Sequence, residues 1–203
     1  MFITFEGPEG SGKTSQARAL VRLLTRKGRR VTFVRDPGST ALGRALRRVL
    51  LHAAGDLSPM TEALLFIGGR VQLVEELIKP ALRKGIVVVC DRFHDATVAY
   101  QGYGGGLDVP WLDHLGRAAI QGVMPGLTIL LDLPSEEGFH RLNRTRDRME
   151  RKTLEFHRRV RAGYLRLAKR EPRRFAVVDA RRSPVDVRRE IQTVVLQHLR
   201  IIA

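Results

Sequence analysis

Five short apolar segments alternate with longer amphipathic stretches, and this alternation constrains the fold more than any other feature of the chain. The segments are nearly continuous in apolar residues, which is typical of strands covered on both faces. They are FITFE (2–6), VTFVR (31–35), IVVVCD (86–91), LTILLDL (127–133) and FAVVD (175–179). Strands that alternate with helices form βαβ units, whose strands run parallel. We therefore predict one α/β domain over residues 1–203, with a five-stranded parallel sheet and helices on both faces.

Start and stop signals set the limits of the predicted helices. The helix after the first strand is expected to stop at Gly28, and Thr40 is expected to cap the next one. A long helix is predicted over residues 58–84, with Ser58 as its cap and Pro80 kinking its last turns. Ser183, which also precedes a proline, is expected to start the last helix.

Two segments depart from this alternation. Residues 99–108 contain four glycines and are predicted to form a loop. Residues 141–152 carry so many charges that we expect an exposed flap between two helices.

Composition limits the class of partner. The formal net charge of +15 would suit a nucleic-acid backbone. The basic residues are spread through predicted helices, however, and aromatic residues make up only 6% of the chain, so we expect no nucleic-acid partner. We see no apolar run of membrane-spanning length and no signal peptide, and Cys90 is the single cysteine. We therefore expect no membrane partner and a cytoplasmic location.

The segment GPEGSGKT fits the pattern of a phosphate-binding loop, placed between a predicted strand and a predicted helix. Its glycines let backbone N–H groups turn toward an anion, and the helix that follows directs its positive end at the same place. Lys13 is expected to reach the β and γ phosphates, and the Thr14 hydroxyl is expected to meet Mg²⁺. The pattern predicts binding of a nucleoside triphosphate by Gly7, Pro8, Glu9, Gly10, Ser11, Gly12, Lys13 and Thr14. By itself it leaves open a switch GTPase, a motor ATPase and a small-molecule kinase.

Other residues indicate a second anionic ligand. Asp91 ends the third predicted strand, where an acid typically holds Mg²⁺ through water, and Arg92 follows it directly. Phe66 and Arg70 lie four residues apart, so they share one helix face that could hold a flat ring and a phosphate. An ordinary core phenylalanine and a surface arginine remain the alternative for this pair.

Two neighbouring positions add to this reading. Gly68 and Gly69 would cost about 2 kcal/mol relative to alanine in a helix, which suggests that something approaches the backbone there. The RDPGST segment, with a turn at Pro37, could form another wall of the same cleft.

In this order along the chain, six segments resemble the bacterial thymidylate kinases: FEGPEGSGKT, RDPGST, LLFIGGR, CDRFHDATVAYQGYGGGLD, LTILLDL and DRMERKTLEFHRRVRAGY. These P-loop kinases phosphorylate dTMP with ATP and Mg²⁺, and the dTDP formed leads to dTTP. The resemblance covers nearly the whole chain. It implies a three-layer α/β/α fold with a mobile lid over residues 141–152, and a homodimer.

The resemblance also implies how the acceptor nucleotide is held. Phe66 would stack on the thymine ring, while Thr97 and Gln101 would face the base edge. Tyr100 would pack near the sugar 2′ position, and Glu9 would turn outward to the 3′-hydroxyl. The acceptor phosphate would lie on Arg70 and Arg92, with Arg35 and Pro37 on the same wall.

For catalysis, the resemblance implies an arginine supplied by the lid, because the interior of the phosphate loop has no basic residue. It favours Arg148, with Arg144 and Arg146 as further candidates, and Arg144 is also expected to contact ATP. Mg²⁺ would be held by Thr14 and Asp91. The expected catalytic residues are Lys13, Arg92, Arg148 and Glu9.

Two alternatives remain open. Asp36 and Ser39 stand where this family more often has glutamate and glycine, which keeps open a kinase of the same architecture for another nucleotide or nucleoside. The net charge keeps open a nucleic-acid-binding ATPase.

Overall fold

The computed structural model describes residues 1–53, 55–142 and 145–199, and within them five strands form one parallel sheet. The strands lie side by side in the order β2-β3-β1-β4-β5, and every neighbouring pair runs parallel. Their bounds are β1 Phe2–Glu6, β2 Val31–Arg35, β3 Val87–Asp91, β4 Leu127–Asp132 and β5 Phe175–Asp179. The predicted fold class is confirmed, and the strand limits differ from the prediction by one residue in β3 and one in β4.

Helices connect successive strands. They are α1 Lys13–Arg26, α2 Ala41–His52, α3 Pro59–Leu73, α4 Lys79–Arg83, α5 His94–Thr97, α6 Val109–Ala119, α7 Ser135–His140, α8 Leu154–Arg170 and α9 Pro184–His198. The predicted caps are confirmed, since the side chains of Thr40, Ser58 and Ser183 each accept a hydrogen bond from the first turn of the helix that follows. Gly28 follows the end of α1 with φ 74°, as expected for a helix stop.

Apolar cores on both faces of the sheet complete three layers. On one face, Leu20 of α1 and Ile191 of α9 pack against the sheet through Ile3 and Ile129. On the other face, α8 packs around Leu130. The end of α3 and the residues that follow it, up to Ala81, pack on β1, β2 and β3. Coverage on both faces holds for β1, β3 and β4, whereas the edge strand β5 leaves Val177 47% exposed. The prediction of full coverage is therefore wrong for β5.

The first part of the glycine-rich segment is helical, whereas a loop was predicted over all of residues 99–108; residues 105–108 lie outside helices, as predicted. Residues Val98–Gly104 form a π-helical segment that packs along α8. A Cβ on Gly104 would lie 2.7 Å from Val160, and one on Gly163 would lie 2.6 Å from the Tyr103 ring. The glycines therefore allow two helices to approach closely, which the loop prediction missed.

The predicted long helix is interrupted before Pro80. After α3 the chain makes a π-helical turn at Val74–Ile78, and α4 then begins. Proline lacks an N–H and its ring crowds the carbonyl four residues earlier, so a regular ladder cannot continue through this point.

The charged segment over 141–152 was predicted to be an exposed flap, but part of it is buried. Arg148, Met149 and Glu150 are all buried, with relative exposures of 6%, 5% and 2%. Buried charges need partners, and Arg148 donates to Glu62 at 2.7 Å.

Across residues 1–53, 55–142 and 145–199, none of the helices has the length and apolar character that a membrane span requires.

Candidate active site

A cleft of about 840 Å³ lies at the carboxyl ends of the central strands. Parallel strands present the loops that follow them at one edge of the sheet, where ligands of open α/β folds bind. The loops after β1, β2 and β3 line the cleft together with residues of α2, α3, α5 and the π-helical segment, and with residues 145–147 and 149–151 of the lid. All of these except α2 are regions that the sequence analysis expected to meet.

The loop after β1 has the backbone geometry of an anion-binding turn. Gly7, Gly10 and Gly12 have φ values of 140°, 70° and 85°, which side chains disfavour. Lys13 donates from Nζ to the Pro8 carbonyl at 2.7 Å, so the loop holds its ammonium in place. Burial and the nearby Arg92 lower the pKa of Lys13 to about 8.

Beside this loop, two oxygen groups suited to a divalent cation meet. The Thr14 hydroxyl donates to Asp91 Oδ2 at 2.5 Å, and Arg35 donates to the same carboxylate oxygen at 3.2 Å. Hydroxyl and carboxylate oxygens are ligands that Mg²⁺ prefers. Because the described residues contain no cluster of three His, Cys, Asp or Glu side chains fit to hold a metal, further ligands would have to come from nucleotide phosphates and water. The residues present therefore fit Mg²⁺ shared with a nucleotide.

Arg92 and Glu9 form the link between the phosphate loop and the other wall. Arg92 adopts φ 67°, an uncommon value for a side-chain-bearing residue. Its Nη2 donates to Glu9 Oε1 at 2.7 Å and to the Tyr100 hydroxyl at 3.1 Å, and its Nη1 donates to the Gly7 carbonyl and the Tyr164 hydroxyl. The arginine is thereby held across the cleft by four groups.

The carboxylate of Glu9 accepts hydrogen bonds from the wall opposite the loop. The Tyr100 hydroxyl donates to it at 2.6 Å, in addition to Arg92. Burial alone would raise the pKa of Glu9, but the charges of Arg92 and Lys13 lower it to about 2. Glu9 is therefore ionised at neutral pH and turned toward the wall that carries Tyr100.

Arg70 lies deeper, at the end of the cleft formed by α3 and α5. Its Nε donates to Asp36 at 2.5 Å and its Nη2 donates to Thr97 at 2.9 Å, and the side chain is 2% exposed. Phe66 is half-buried one turn earlier, and Gln101 lines the same region from the π-helical segment. Arg70 thus contacts Thr97, one of the residues expected at the base edge.

Neither Gly68 nor Gly69 lines this cleft. A Cβ on Gly69 would lie 3.2 Å from Leu46 of α2, so this glycine serves the packing of two helices. Gly68 is exposed on the opposite side of α3. The expectation that the pair brings a ligand close to the backbone is therefore not met within the cleft.

The lid arginines divide into two groups. Arg148, the favoured candidate from the sequence, does not line the cleft but donates to Glu62 and to the Leu50 carbonyl. Arg146 and Arg151 do line the cleft, and Arg144 lies outside the described residues. A buried acid on α3 therefore draws Arg148 inward, which the lid sequence alone could not reveal.

With this geometry established, comparisons with known proteins decide the family. The model of the family described as thymidylate kinase matches residues 5–191. The chain belongs to the thymidylate kinase family. It is 48% identical over 186 residues to the thymidylate kinase of Pelotomaculum thermopropionicum, an alignment that covers 90% of this chain and 86% of that protein. The Deinococcus radiodurans thymidylate kinase is 47% identical over 193 residues, covering 94% of each chain.

A solved structure agrees with this assignment. The crystal structure of thymidylate kinase from Ehrlichia chaffeensis superposes with a TM-score of 0.79 at 36% sequence identity, covering 96% of this chain and 97% of that one. The chain therefore has both the sequence and the three-layer fold of a thymidylate kinase.

Four residues in or next to the candidate site were missed by sequence reasoning. Arg47 of α2 lines the cleft and donates to the Pro37 carbonyl at 3.2 Å, and burial together with Arg35 lowers its pKa. Three others lie behind the cleft: Glu62 contacts Gln101 and Tyr164 contacts Arg92, both of which line it, and Glu6 in turn accepts a hydrogen bond from Tyr164. Of these, a glutamate in an otherwise apolar strand was the one readable signal, since a buried carboxylate needs partners.

Proposed function

We propose that the protein transfers the γ-phosphate of ATP to dTMP, forming dTDP and ADP. The observation that carries this proposal is a pair of buried polar atoms without hydrogen-bond partners, at the end of the cleft that we expect to hold the base. Within the described residues, Arg70 Nη1 and Gln101 Oε1 are buried and have no hydrogen-bond partner. Thymine presents an O4 acceptor beside an N3–H donor, so one base edge would satisfy both atoms, with its ring against Phe66.

This arrangement changes the role that we assign to Arg70. The guanidinium is tied to Asp36 and Thr97 and lies with the base-edge residues. We assign it to thymine O4 rather than to the acceptor phosphate. Asp36, which is shorter than the glutamate more common in the family, is the residue that holds Arg70 there.

The acceptor phosphate is then left to cations nearer the phosphate loop. Arg92 and Arg35 supply two of them, and Arg47 supplies a third beside Pro37. Glu9 is assigned to the 3′-hydroxyl of the sugar, because it is ionised and can accept a hydrogen bond. Tyr100 packs near the 2′ position, where a ribose hydroxyl would be disfavoured.

The transfer itself depends on position and charge. The donor phosphates lie in the loop from Gly7 to Thr14, on the backbone N–H groups of its residues other than Pro8 and on the Lys13 side chain, and an acceptor phosphate oxygen attacks in line. That oxygen is already anionic at neutral pH, so no general base is required. We propose Thr14 and Asp91 as the residues that hold Mg²⁺, which would neutralise charge on the donor phosphates when bound.

We propose that residues 141–152 act as a lid within a single domain. A cation over the transferring phosphate is worth a factor of about 10³–10⁵ in comparable enzymes. Arg146 and Arg151 line the cleft and are exposed, so they are available for this role. Arg148, with 6% of its surface exposed, is instead assigned to holding the lid in place.

A panel assay tests the proposed activity. ADP release would be coupled to a spectrophotometric readout with ATP, Mg²⁺ and one of dTMP, dUMP, dCMP, dGMP or UMP as acceptor. The proposal expects dTMP to give the highest kcat/KM, and Lys13→Met to abolish turnover. A clear preference for another acceptor would replace dTMP by a different nucleotide. Hydrolysis stimulated by DNA without any monophosphate would contradict the kinase assignment.

We also propose that the protein is a homodimer. On α3, Met60, Leu64 and Gly68 follow one another at intervals of four residues on one exposed face, and Leu64 is 52% exposed. On the neighbouring α2, Leu42 and Val49 are 45% and 46% exposed. An apolar surface of this kind favours a protein partner, and a second copy of α3 could approach closely at Gly68. Light scattering on wild type and Leu64→Glu tests this: the variant should be monomeric, and a monomeric wild type would refute it.

The remaining proposal concerns location and charge. We propose a cytoplasmic enzyme that acts on small nucleotides and has no nucleic-acid partner. Much of the positive charge is neutralised locally, as in the pairs of Arg161 with Asp132 and Arg174 with Asp95. A salt-dependent shift of labelled DNA at physiological ionic strength would contradict this proposal.

A further inference from the structure

Glu62 is a fully buried acid that does not contact the cleft. It lies in the first turns of α3, and its side chain is 1% exposed. Three side chains from two other segments donate to it. Gln101 Nε2 donates at 3.0 Å, Arg148 Nη1 at 2.7 Å, and Lys152 Nζ donates to both carboxylate oxygens at 2.8 and 2.9 Å.

These donors keep Glu62 ionised. Burial by itself would raise the pKa of Glu62, but the hydrogen bonds from Lys152, Gln101 and Arg148 lower it. A carboxylate in this state can only accept hydrogen bonds. Every group that faces it must therefore present a donor.

This requirement settles which way the Gln101 amide points. Its NH₂ group must face Glu62, because the reverse orientation would place the amide oxygen against a carboxylate oxygen. The amide oxygen Oε1 is then directed elsewhere, and within residues 1–53, 55–142 and 145–199 it has no hydrogen-bond partner although it is buried. A buried acceptor left unpaired destabilises the site, so a ligand that donates to it is favoured over one that does not.

We propose that Glu62 is a positioning residue that fixes the acceptor face of Gln101 toward the base site, and thereby selects a base with a ring N–H donor over one with a ring nitrogen acceptor. The inference rests on the function proposed above. Thymine carries a donor at N3, whereas cytosine carries an acceptor at the same position. Cytosine would thus oppose the oxygen of Gln101, and the amide could not rotate to meet it while Glu62 remains ionised.

Glu62→Gln is the direct test, because glutamine has nearly the same shape. Its amide oxygen can still accept from Arg148 and Lys152, but its NH₂ can donate to Gln101, so the second orientation of Gln101 becomes accessible. The ratio of kcat/KM for dTMP to that for dCMP should fall by about tenfold or more. The rate with dCMP should rise in absolute terms, which mere loss of folded protein cannot produce.

Lys152→Met is the matched control. It removes one donor from Glu62 but leaves the carboxylate, its contact with Arg148 and its contact with Gln101 in place. We expect its dTMP-to-dCMP ratio to stay within about twofold of wild type, even if urea unfolding shows it to be destabilised. A loss of preference in this variant equal to that in Glu62→Gln would contradict the inference.

A measurement on the wild-type protein tests the inference even if the Glu62→Gln variant does not fold. An N3-methyl derivative of dTMP lacks the ring N–H, so its kcat/KM should be at least about tenfold lower than that of dTMP. Equal use of the two acceptors would overturn the inference whatever the variants do. Absence of wild-type activity with dTMP would instead overturn the proposed function, and the inference with it. If wild type prefers dTMP to dCMP and Glu62→Gln has the same ratio of kcat/KM for the two acceptors, the inference is overturned but the proposed function is not.

Discussion

Replacement of Arg148 by alanine distinguishes a structural role from a catalytic one. In the structure, Arg148 donates from Nη1 to Glu62 at 2.7 Å and from Nε to the Leu50 carbonyl at 2.8 Å. Its backbone N–H also donates to the Leu51 carbonyl, so this part of the lid is fastened to the end of α2. The alanine variant keeps the backbone bond and loses these two side-chain bonds, together with a longer one from Nη2 to Met149 Sδ at 3.5 Å.

The cost follows from these contacts. Removal of one partner from a buried ion pair costs about 3–5 kcal/mol when the other charge is left alone. Here Lys152 still donates to both oxygens of Glu62, which lowers the cost, while the lost bond to Leu50 adds about 1 kcal/mol. We expect the free energy of unfolding to fall by about 2–4 kcal/mol. With a urea m-value of about 2 kcal/mol/M, the midpoint should fall by ~1–2 M.

Urea unfolding and steady-state kinetics on the same preparations provide the assay. Arg151→Ala is the control, because Arg151 is an exposed lid arginine that lines the cleft. Its unfolding midpoint should stay near that of wild type, and its kcat should be the more affected of the two. In a Glu62→Gln background the cost of Arg148→Ala should shrink, since the two residues are coupled. If Arg148→Ala lowers kcat by 10²-fold or more and leaves the midpoint unchanged, the structural assignment is refuted.

Three further predictions address other parts of the molecule. Glu9→Ala should raise KM for dTMP far more than for its 3′-deoxy analogue, and equal losses for the two acceptors in steady-state assays would remove Glu9 from the 3′-hydroxyl. Burial and, as the second cause, the charge of nearby Asp95 raise the pKa of Glu6 from 4.5 to about 8, so the folded state favours the protonated acid. The protonated acid therefore adds to the free energy of unfolding in full below pH about 4.5, and this contribution is lost as the pH rises through about 8. Glu6→Gln should flatten the decline in the free energy of unfolding with pH over this window. An unchanged slope of that free energy against pH would contradict the assignment. Gly163→Ala should lower the unfolding free energy by about 1–3 kcal/mol, because its Cβ would lie 2.6 Å from the Tyr103 ring, and calorimetry showing no change in Tm would refute the packing argument.

The sequence by itself determined the parts of the molecule that depend on local chemistry. Strand limits were predicted to within a residue because a strand buried in a parallel sheet must be apolar at nearly every position. Thr40, Ser58 and Ser183 were recognised as caps because a side-chain oxygen must satisfy free N–H groups at the start of a helix. The phosphate-binding loop was equally readable, since glycines with positive φ and a following helix are required over a span of eight residues.

The tertiary structure alone decided which charges lie inside. Glu62 and Arg148 are 86 residues apart and meet only because α3 and the lid pack together, so a charged run predicted to be exposed became partly buried. The π-helical segment was also undetectable, because Gly104 is explained by its contacts with Val160 and Phe156 of α8, which lie more than 50 residues further along the chain. The same holds for Gln101: the sequence placed it near a base edge, and only the packing of an ionised Glu62 behind it sets which atom of its amide faces the ligand.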